Sequence, residues 1–217
     1  MIISDKYKLI FIRIPKTGST SVEKALIEAD PDCISSDNTK HPYGHFSAQT
    51  VKDEYHVGEY RWKNYFKFCT IREPVDWYLS MYLDHVKHPL KKWAEPMHWF
   101  FKNNDGQLPF DKNNPVIDLD SMLMLNTLNT KWYTPRDCIQ QVDWLNAGDM
   151  DLLIDFKELD KGWDIVKEKT GVEVNLQKLN VGDVRKENKD ARFSEEALKV
   201  FSILHAKDIE FYKNLIK

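Results

Sequence analysis

Three short apolar runs along the chain, each followed by a polar turn and a helical pattern, indicate an alternation of strands and helices. The runs that we interpret as buried strands are "YKLIFIRI" (7–14), "YFKFCTI" (65–71) and "DLLIDF" (151–156). Continuous apolar runs of this length, rich in β-branched and aromatic residues, are typical of strands inside a sheet. Strands that alternate with helices predict an α/β fold of three layers, with a central, mainly parallel sheet flanked by helices.

The helices are predicted from apolar spacing and from the residues at their ends. The first, "STSVEKALIEA" (19–29), has apolar side chains at helical spacing directly after the first strand. A second begins near Pro74, a residue that the first helical turn tolerates, and a third ends at Gly171. The chain closes with a helical run in which Ser194 is a suitable N-cap.

The segment from about residue 88 to 147 has a different character. It is rich in Trp, Asn and Pro and contains only short helical patterns. We interpret it as a helical insertion that shapes a substrate cleft. The whole chain of 217 residues suits one α/β domain with a full core, so we predict a single domain over residues 1–217.

Composition narrows the class of protein. The formal net charge of -3 does not suggest a nucleic-acid partner. No apolar run approaches the length of about 18 residues that spans a bilayer, and the N-terminus lacks the pattern of a signal peptide. The cysteines are odd in number and widely spaced, which favours free thiols in a reducing compartment; they are Cys33, Cys69 and Cys138. We therefore expect a cytoplasmic protein without a nucleic-acid or membrane partner.

The turn after the first strand, "IPKTGSTS", has the composition of an anion-binding loop. A strand, a turn and a helix direct the N–H groups of the first helical turn and the positive end of the helix dipole at one spot. Gly18 lets the backbone approach an anion closely, and Lys16 supplies a cation. The predicted anion-binding residues are Lys16, Thr17, Gly18, Ser19, Thr20 and Ser21. For this stretch alone, a well-capped helix start is an equally good interpretation.

The order of lysine and glycine distinguishes this turn from the loop of the nucleotide triphosphatases. That loop reads GxxxxGK[ST]. Here Lys16 precedes Gly18, and no glycine lies upstream within the loop. The order speaks against a P-loop kinase, which would use ATP with magnesium.

A second turn, "CTIREPVDWYLSMY" (69–82), also follows a predicted strand. Arg72 lies at the end of that strand, and Ser80 follows two turns into the next helix. Arg72 can bind a phosphate with two N–H groups, and Ser80 can present a hydroxyl from the same side. Taken alone, an arginine after a strand is more often an ion-pair partner. The two turns together predict a ligand with two separate anionic groups.

The pairing of "IPKTGSTS" with "IREPVDWYLSMY" resembles the 5′-phosphosulfate loop and 3′-phosphate motif of sulfotransferases that use 3′-phosphoadenosine 5′-phosphosulfate (PAPS). The form is closest to the carbohydrate sulfotransferases, including the heparan sulfate 2-O-sulfotransferase type. The resemblance implies a P-loop-like fold, PAPS as donor, adenosine 3′,5′-bisphosphate (PAP) as product and no metal. It further implies that Lys16 to Ser21 bind the phosphosulfate and that Arg72 and Ser80 bind the 3′-phosphate. The similar segments are 7–29, 43–53, 64–83 and, more loosely, 151–217.

Within "HPYGHFSAQTV", His45 matches the histidine that such carbohydrate enzymes use as catalytic base, with Lys16 stabilising the leaving group. The alternative is a structural or surface histidine, and His41 or Glu59 would then be next in line as the base. His41 and His45 are four residues apart, but Pro42 and Gly44 break a helix there, so we exclude a metal-binding pair.

The basic segment "LNVGDVRKENKDARF" resembles the loop of the family that closes over the nucleotide. Arg185 and Lys186 are the predicted contacts, and an ordinary solvated loop is an equally good interpretation. Arg13, just before the anion-binding turn, either faces the acceptor or forms an ion pair at the strand edge. Tryptophans of the middle region can stack on sugar rings, although core positions are more common.

The acceptor is a hydroxyl, which the resemblance places on a saccharide. A peptide tyrosine or a small-molecule hydroxyl is an alternative, as are a P-loop kinase and a nucleotide-binding domain without turnover. Many carbohydrate sulfotransferases carry an N-terminal membrane anchor, whereas this chain starts almost at its first strand. That departure favours a compact soluble enzyme. The sequence does not indicate the oligomeric state.

Overall fold

A computed structural model describes residues 1–35, 45–54, 57–87, 119–120, 122–123, 140–145, 150–177 and 192–216. The chain divides into two compact units. Unit 1 comprises Met1–Pro74, Thr134–Val181 and Lys207–Lys217, and unit 2 comprises Val75–Tyr133 and Gly182–Ala206. The single domain with a helical insertion at about 88–147 stays a prediction, because most of that insertion lies outside the described residues.

Unit 1 contains a five-stranded sheet. Its strands are β1 (Ile2–Ser4), β2 (Leu9–Ile12), β3 (Ile34–Ser35), β4 (Phe66–Ile71) and β5 (Leu152–Asp155). Their order in the sheet is β3-β1-β2-β4-β5. β2 pairs in parallel with β4, and β4 with β5, while β1 runs antiparallel to both β2 and β3. All strands except β1 therefore point the same way, which confirms the predicted mainly parallel sheet.

The three predicted strands are present, and two further strands were not predicted. β1 and β2 form a hairpin in which Ile2 lies opposite Phe11. The turn between them contains Lys8 with a φ of 49°, so the strand predicted from residue 7 begins only at Leu9. Strands of two or three residues such as β3 and β1 are too short for a periodic pattern to reveal them.

The helices of the described residues are α1 (Ser19–Ala29), α2 (Ala48–Glu54), α3 (Gly58–Asn64), α4 (Pro74–Lys87), α5 (Leu159–Thr170), α6 (Glu195–Leu204) and α7 (Ala206–Leu215). Two 3₁₀ helices, Gln141–Leu145 and Phe156–Glu158, lie before α5. α1 has the predicted bounds, and α4 begins at Pro74 as predicted.

The predicted helix ends are confirmed in two further places. Gly171 closes α5 in the left-handed conformation, with a φ of 77°. The Ser194 hydroxyl accepts a hydrogen bond from the Ala197 N–H at 3.1 Å and so caps α6. The last helical run is divided at His205, where α6 ends and α7 follows.

The core of unit 1 lies on both faces of the sheet. Successive side chains of a strand point to opposite faces. In β2, Ile10 and Ile12 belong to a cluster with residues of α2 and α3, while Leu9 and Phe11 belong to a second cluster with residues of α1 and α5. The sheet is therefore buried between two helical layers, as an α/β fold requires.

Unit 2 has an aromatic cluster of its own between α4 and α6. The Phe201 and His205 rings stack with centroids 4.2 Å apart, and Tyr78 meets both rings edge-on. His205 is 2% exposed, and its Nδ1 has no hydrogen-bond partner among the described residues. Burial lowers the pKa of His205 to about 4, so the ring is neutral at physiological pH.

Among the described residues, Cys33 and Cys69 are buried free thiols, and Cys138 lies outside them. Burial raises the pKa of the Cys33 thiol to about 11, with the Asp30 carboxylate acting in the same direction. Across the described ranges, we find no helix with the length and apolar character that a membrane crossing requires.

Candidate active site

The parallel strands bring three chain segments to one edge of the sheet. In the ladder, Ile12 of β2 lies beside Cys69 of β4, and Ile71 of β4 lies beside Asp155 of β5. The carboxyl ends of these strands therefore meet at the same edge, where ligands bind in open α/β sheets. The turns that leave this edge contain Lys16, Arg72 and Phe156.

The turn before α1 combines left-handed backbone conformations with close packing. Lys16 and Gly18 both have left-handed conformations, with φ of 62° and 80°. The first turn of α1 contains no acidic residue, so the positive end of the helix dipole is not offset by a carboxylate in that turn. A Cβ atom on Gly18 would lie 2.8 Å from the Phe156 ring and 3.2 Å from Leu159. Glycine is therefore required at this position by conformation and by space.

The hydroxyl of Thr17 is used within the protein. Thr17 is fully buried, and its Oγ1 donates to the Ile14 carbonyl at 2.9 Å and lies 2.7 Å from Thr70 Oγ1. Thr17 therefore ties the loop to β4 and can meet an anion only through its backbone N–H. Ser19 and Ser21 are also buried, whereas Thr20 is half-buried.

Arg72 lies against the same loop. Its Nη1 donates to the Lys16 carbonyl at 3.1 Å, and its guanidinium lies over the Phe156 ring, 4.6 Å from the centroid. Phe156 thus contacts both the arginine and the glycine of the loop. A guanidinium stacked on a ring keeps its orientation and its charge. The structure therefore brings Arg72 and the backbone of Lys16, two of the predicted phosphate contacts, into direct contact.

His45 lies beside the start of the loop. Its Nδ1 is 2.9 Å from the Arg13 carbonyl oxygen. Because a carbonyl only accepts, Nδ1 carries the proton, and the neutral imidazole has its basic lone pair on Nε2. The ring also meets Trp144 edge-on, with centroids 6.1 Å apart. His45 is thus held in the tautomer that a general base needs at Nε2.

Arg13 forms an ion pair with Glu23 of α1. Its Nη1 lies 2.6 Å from Glu23 Oε1, and the two side chains are 14% and 4% exposed. Of the two interpretations offered for Arg13, the structure therefore records the ion pair. The pair joins the end of β2 to α1 and so supports the loop between them.

For the remaining predicted site residues, the structure tests no contact with this loop. Ser80 is half-buried in α4, within unit 2. Arg185, Lys186 and His41 lie outside the described residues, whereas Glu59 is exposed on α3. The roles predicted for these residues stay predictions.

Sequence reasoning missed three residues of the site: Thr70, Phe156 and Gln141. The side-chain amide of Gln141 forms hydrogen bonds with the backbone of Arg72. Thr70 is the one hydroxyl residue in the run "FKFCTI", and Phe156 ends a run predicted as a strand. Their positions at strand ends were a usable signal, since ligands bind at that edge. Gln141 carried no signal in the sequence.

Among the described residues, no three or more His, Cys, Asp or Glu side chains are placed to hold a metal ion. The expectation of metal-independent chemistry stays a prediction.

Comparison with known proteins decides the family. Residues 1–115, just over half of the chain, match the sulfotransferase family model. The chain belongs to the sulfotransferase family. The predicted family is confirmed, and with it the P-loop-like α/β fold of this sulfotransferase. The matched range contains the loop Lys16–Ser21, His45, Arg72 and Ser80.

Two curated relatives of this sulfotransferase are carbohydrate sulfotransferase 10 of Xenopus laevis and of Danio rerio. The first is 28% identical over 95 residues and the second 32% identical over 97, in each case 40% of this chain and 26% of the relative. The match to this chain thus spans about a quarter of these relatives. No solved structure matches the sulfotransferase.

Proposed function

We propose that this sulfotransferase moves the sulfuryl group of PAPS to a hydroxyl of a carbohydrate acceptor. The observation that carries the proposal is the contact between the two predicted phosphate motifs: Arg72 donates to the Lys16 carbonyl at 3.1 Å. Two cationic residues on neighbouring strand ends suit a nucleotide with two separate anionic groups. Membership of the sulfotransferase family supports PAPS as that nucleotide.

The loop binds the 5′-phosphosulfate in this proposal. The N–H groups at the start of α1 point toward the anion, and Lys16 adds a positive charge. Arg72 binds the 3′-phosphate. The part given to Ser80 in the same contact rests on the sequence motif alone, and so do the parts given to Arg185 and Lys186.

His45 is the proposed general base. Its Nε2 takes the proton of the acceptor hydroxyl, and the oxygen attacks sulfur in line with the leaving phosphate. The new bond joins the acceptor oxygen to sulfur, the bond between sulfur and the bridging oxygen breaks, and PAP leaves with the added negative charge. Lys16 and the loop N–H groups stabilise that charge as it develops.

The saccharide acceptor is supported by the names of the two relatives, both carbohydrate sulfotransferases. A peptide tyrosine or a small-molecule hydroxyl is the alternative acceptor within the same chemistry. A cytoplasmic location, expected from the three cysteines, stays a prediction.

Calorimetric titration with PAP, beside ATP with magnesium, tests the donor site. We expect PAP to bind without metal and Arg72→Ala to weaken it, because the 3′-phosphate then loses a charged contact. Tight binding of ATP with magnesium, and none of PAP, would contradict the proposal in favour of a kinase.

Transfer of radiolabelled sulfate from PAPS to a glycan array and a peptide array then tests the acceptor. Labelled peptides beside unlabelled glycans would overturn the carbohydrate assignment.

A further inference from the structure

The side-chain amide of Gln141 holds both backbone groups of Arg72. Its Oε1 accepts from the Arg72 N–H at 2.8 Å, and its Nε2 donates to the Arg72 carbonyl at 2.8 Å. Gln141 is 3% exposed and Arg72 is 6% exposed. Buried backbone groups need partners, and just past the end of β4 this amide takes the place of a neighbouring strand.

Gln141 is itself held by Asp208 of α7. The carboxylate accepts from the Gln141 N–H at 2.7 Å and from the Val142 N–H at 2.9 Å. These N–H groups belong to the first turn of the 3₁₀ helix Gln141–Leu145, so Asp208 caps that helix. Asp208 is 1% exposed, and burial raises its pKa to about 6 while the two backbone N–H groups act in the opposite direction.

Arg72 is thus fixed at two levels. Its guanidinium contacts the Lys16 carbonyl and the Phe156 ring, and its backbone forms hydrogen bonds with Gln141. A ligand contact at the end of a long side chain keeps its place only if the backbone beneath it does. Small displacements of a charged contact cost much of its effect.

We propose that Gln141, oriented by Asp208, is a positioning residue for Arg72 and thereby sets the affinity of the site for the 3′-phosphate of the nucleotide. The inference rests on the proposed function, since it takes Arg72 as the contact of that phosphate. In this inference Gln141 acts on the nucleotide only through the backbone of Arg72, without touching the nucleotide itself.

The test compares two nucleotides that differ in the 3′-phosphate, PAP and adenosine 5′-monophosphate, by calorimetry. Gln141→Leu removes both hydrogen bonds at similar volume. We expect it to weaken PAP about tenfold, the effect of losing most of one charged contact, and to leave the monophosphate unchanged. Gln140→Leu is the matched control. Gln140 accepts from the Asp208 N–H at 3.1 Å, and no hydrogen bond to Arg72 is found for it among the described residues.

A double-mutant cycle separates positioning from general loosening. In an Arg72→Ala background, Gln141→Leu should cause no further loss of PAP affinity, because its effect passes through Arg72. Asp208→Asn replaces one of the two accepting oxygens by an NH₂ group, which cannot accept from a backbone N–H. We expect the same selective loss of PAP affinity. Thermal unfolding shows whether the Asp208→Asn variant folds. If it does not fold, the test relies on Gln141→Leu alone.

Two outcomes would overturn the inference: wild-type PAP affinity in Gln141→Leu, or equal weakening of both nucleotides. If the wild-type protein binds neither nucleotide, the proposed function itself fails. The two failures are distinguished by that first titration of the wild-type protein.

Discussion

The Arg13 carbonyl decides which nitrogen of His45 carries a proton. It accepts from Nδ1 at 2.9 Å, so the neutral ring has its lone pair on Nε2. The hydroxyl of Thr17, by contrast, is used to hold the loop against β4. At the residue scale, then, a motif shows which side chains are present, while their hydrogen bonds in the folded protein determine which of their atoms are already engaged.

His45→Asn should abolish most turnover. The asparagine amide can still donate to the Arg13 carbonyl, but it has no basic nitrogen to accept the acceptor's proton. We expect kcat to fall by about two to four powers of ten, the usual range for a lost general base. PAP affinity, measured by calorimetry, serves as the control and should stay unchanged. Near-normal turnover would assign the base elsewhere, with Glu59 and His41 as the next variants to make.

Lys16→Ala should also lower kcat by about two or more powers of ten, because the charge on the leaving phosphate loses its cation. The matched control is Lys24→Ala, which removes an exposed lysine from α1. Steady-state kinetics of both variants give the comparison. If the two variants lose the same small factor, Lys16 acts only through the overall charge of the protein.

At the scale of elements, the turn between β2 and α1 is constrained both in conformation and in space. Gly18 has a φ of 80° and lies against the Phe156 ring. Gly171 at the end of α5 has a similar φ of 77°, but a Cβ atom added there would meet no atom of the described residues within 4 Å. The two glycines share a left-handed conformation, but only Gly18 has neighbouring side chains that an added Cβ atom would meet.

Gly18→Ala should therefore destabilise the protein more than Gly171→Ala. We expect the free energy of unfolding to fall by about 1 kcal/mol for Gly171→Ala, from backbone strain alone. For Gly18→Ala we expect a loss of about 2–4 kcal/mol, since the Phe156 ring must also move. Urea unfolding measures both. Equal losses of unfolding free energy would mean that the Phe156 ring moves aside without an energetic cost.

α6 is followed by the buried His205, and its lowered pKa makes the free energy of unfolding depend on pH. The pKa of His205 in the folded protein is about 4, below the ordinary histidine value of 6.5. Between these values the unfolded chain binds a proton that the folded protein does not, so stability falls as pH falls through this window. His205→Phe removes the group. Relative to wild type, the variant should gain on the order of 2 kcal/mol of unfolding free energy on going from pH 7 to pH 5.

Urea unfolding of wild type and of His205→Phe at both pH values tests this expectation. The difference between the proteins is compared at each pH, so that other titrating groups cancel. A difference that does not change with pH would show that the folded protein accommodates the charged ring.

At the scale of the whole molecule, we predict that the transfer needs no metal to bridge two phosphates. Turnover with PAPS should therefore change by less than about twofold when EDTA replaces magnesium, unlike that of a kinase. Initial rates in the two buffers give the answer. A strict requirement for magnesium would contradict the proposed chemistry.

The sequence predicted where the two turns of the candidate site lie, and the roles of their residues stay predictions. The loop at Gly18 and the arginine at position 72 each follow an apolar strand, and local pattern predicts such turns. The supports of the site join distant parts of the chain: Thr17 and Thr70 are 53 residues apart, and Arg72 and Gln141 are 69 apart. Such pairs depend on how strands and helices pack, which no local pattern contains. The strands β1 and β3 were missed for a different reason, because two or three residues are too few to show a periodic pattern.

The bond between Thr17 and Thr70 also bears on the kinetics of nucleotide binding. Because this bond holds the loop to β4, the loop loses its conformational freedom when the protein folds. An arriving nucleotide therefore does not need to order this loop, which removes one entropic cost of binding. Nucleotides that differ in affinity should arrive at similar rates and differ mainly in how long they stay.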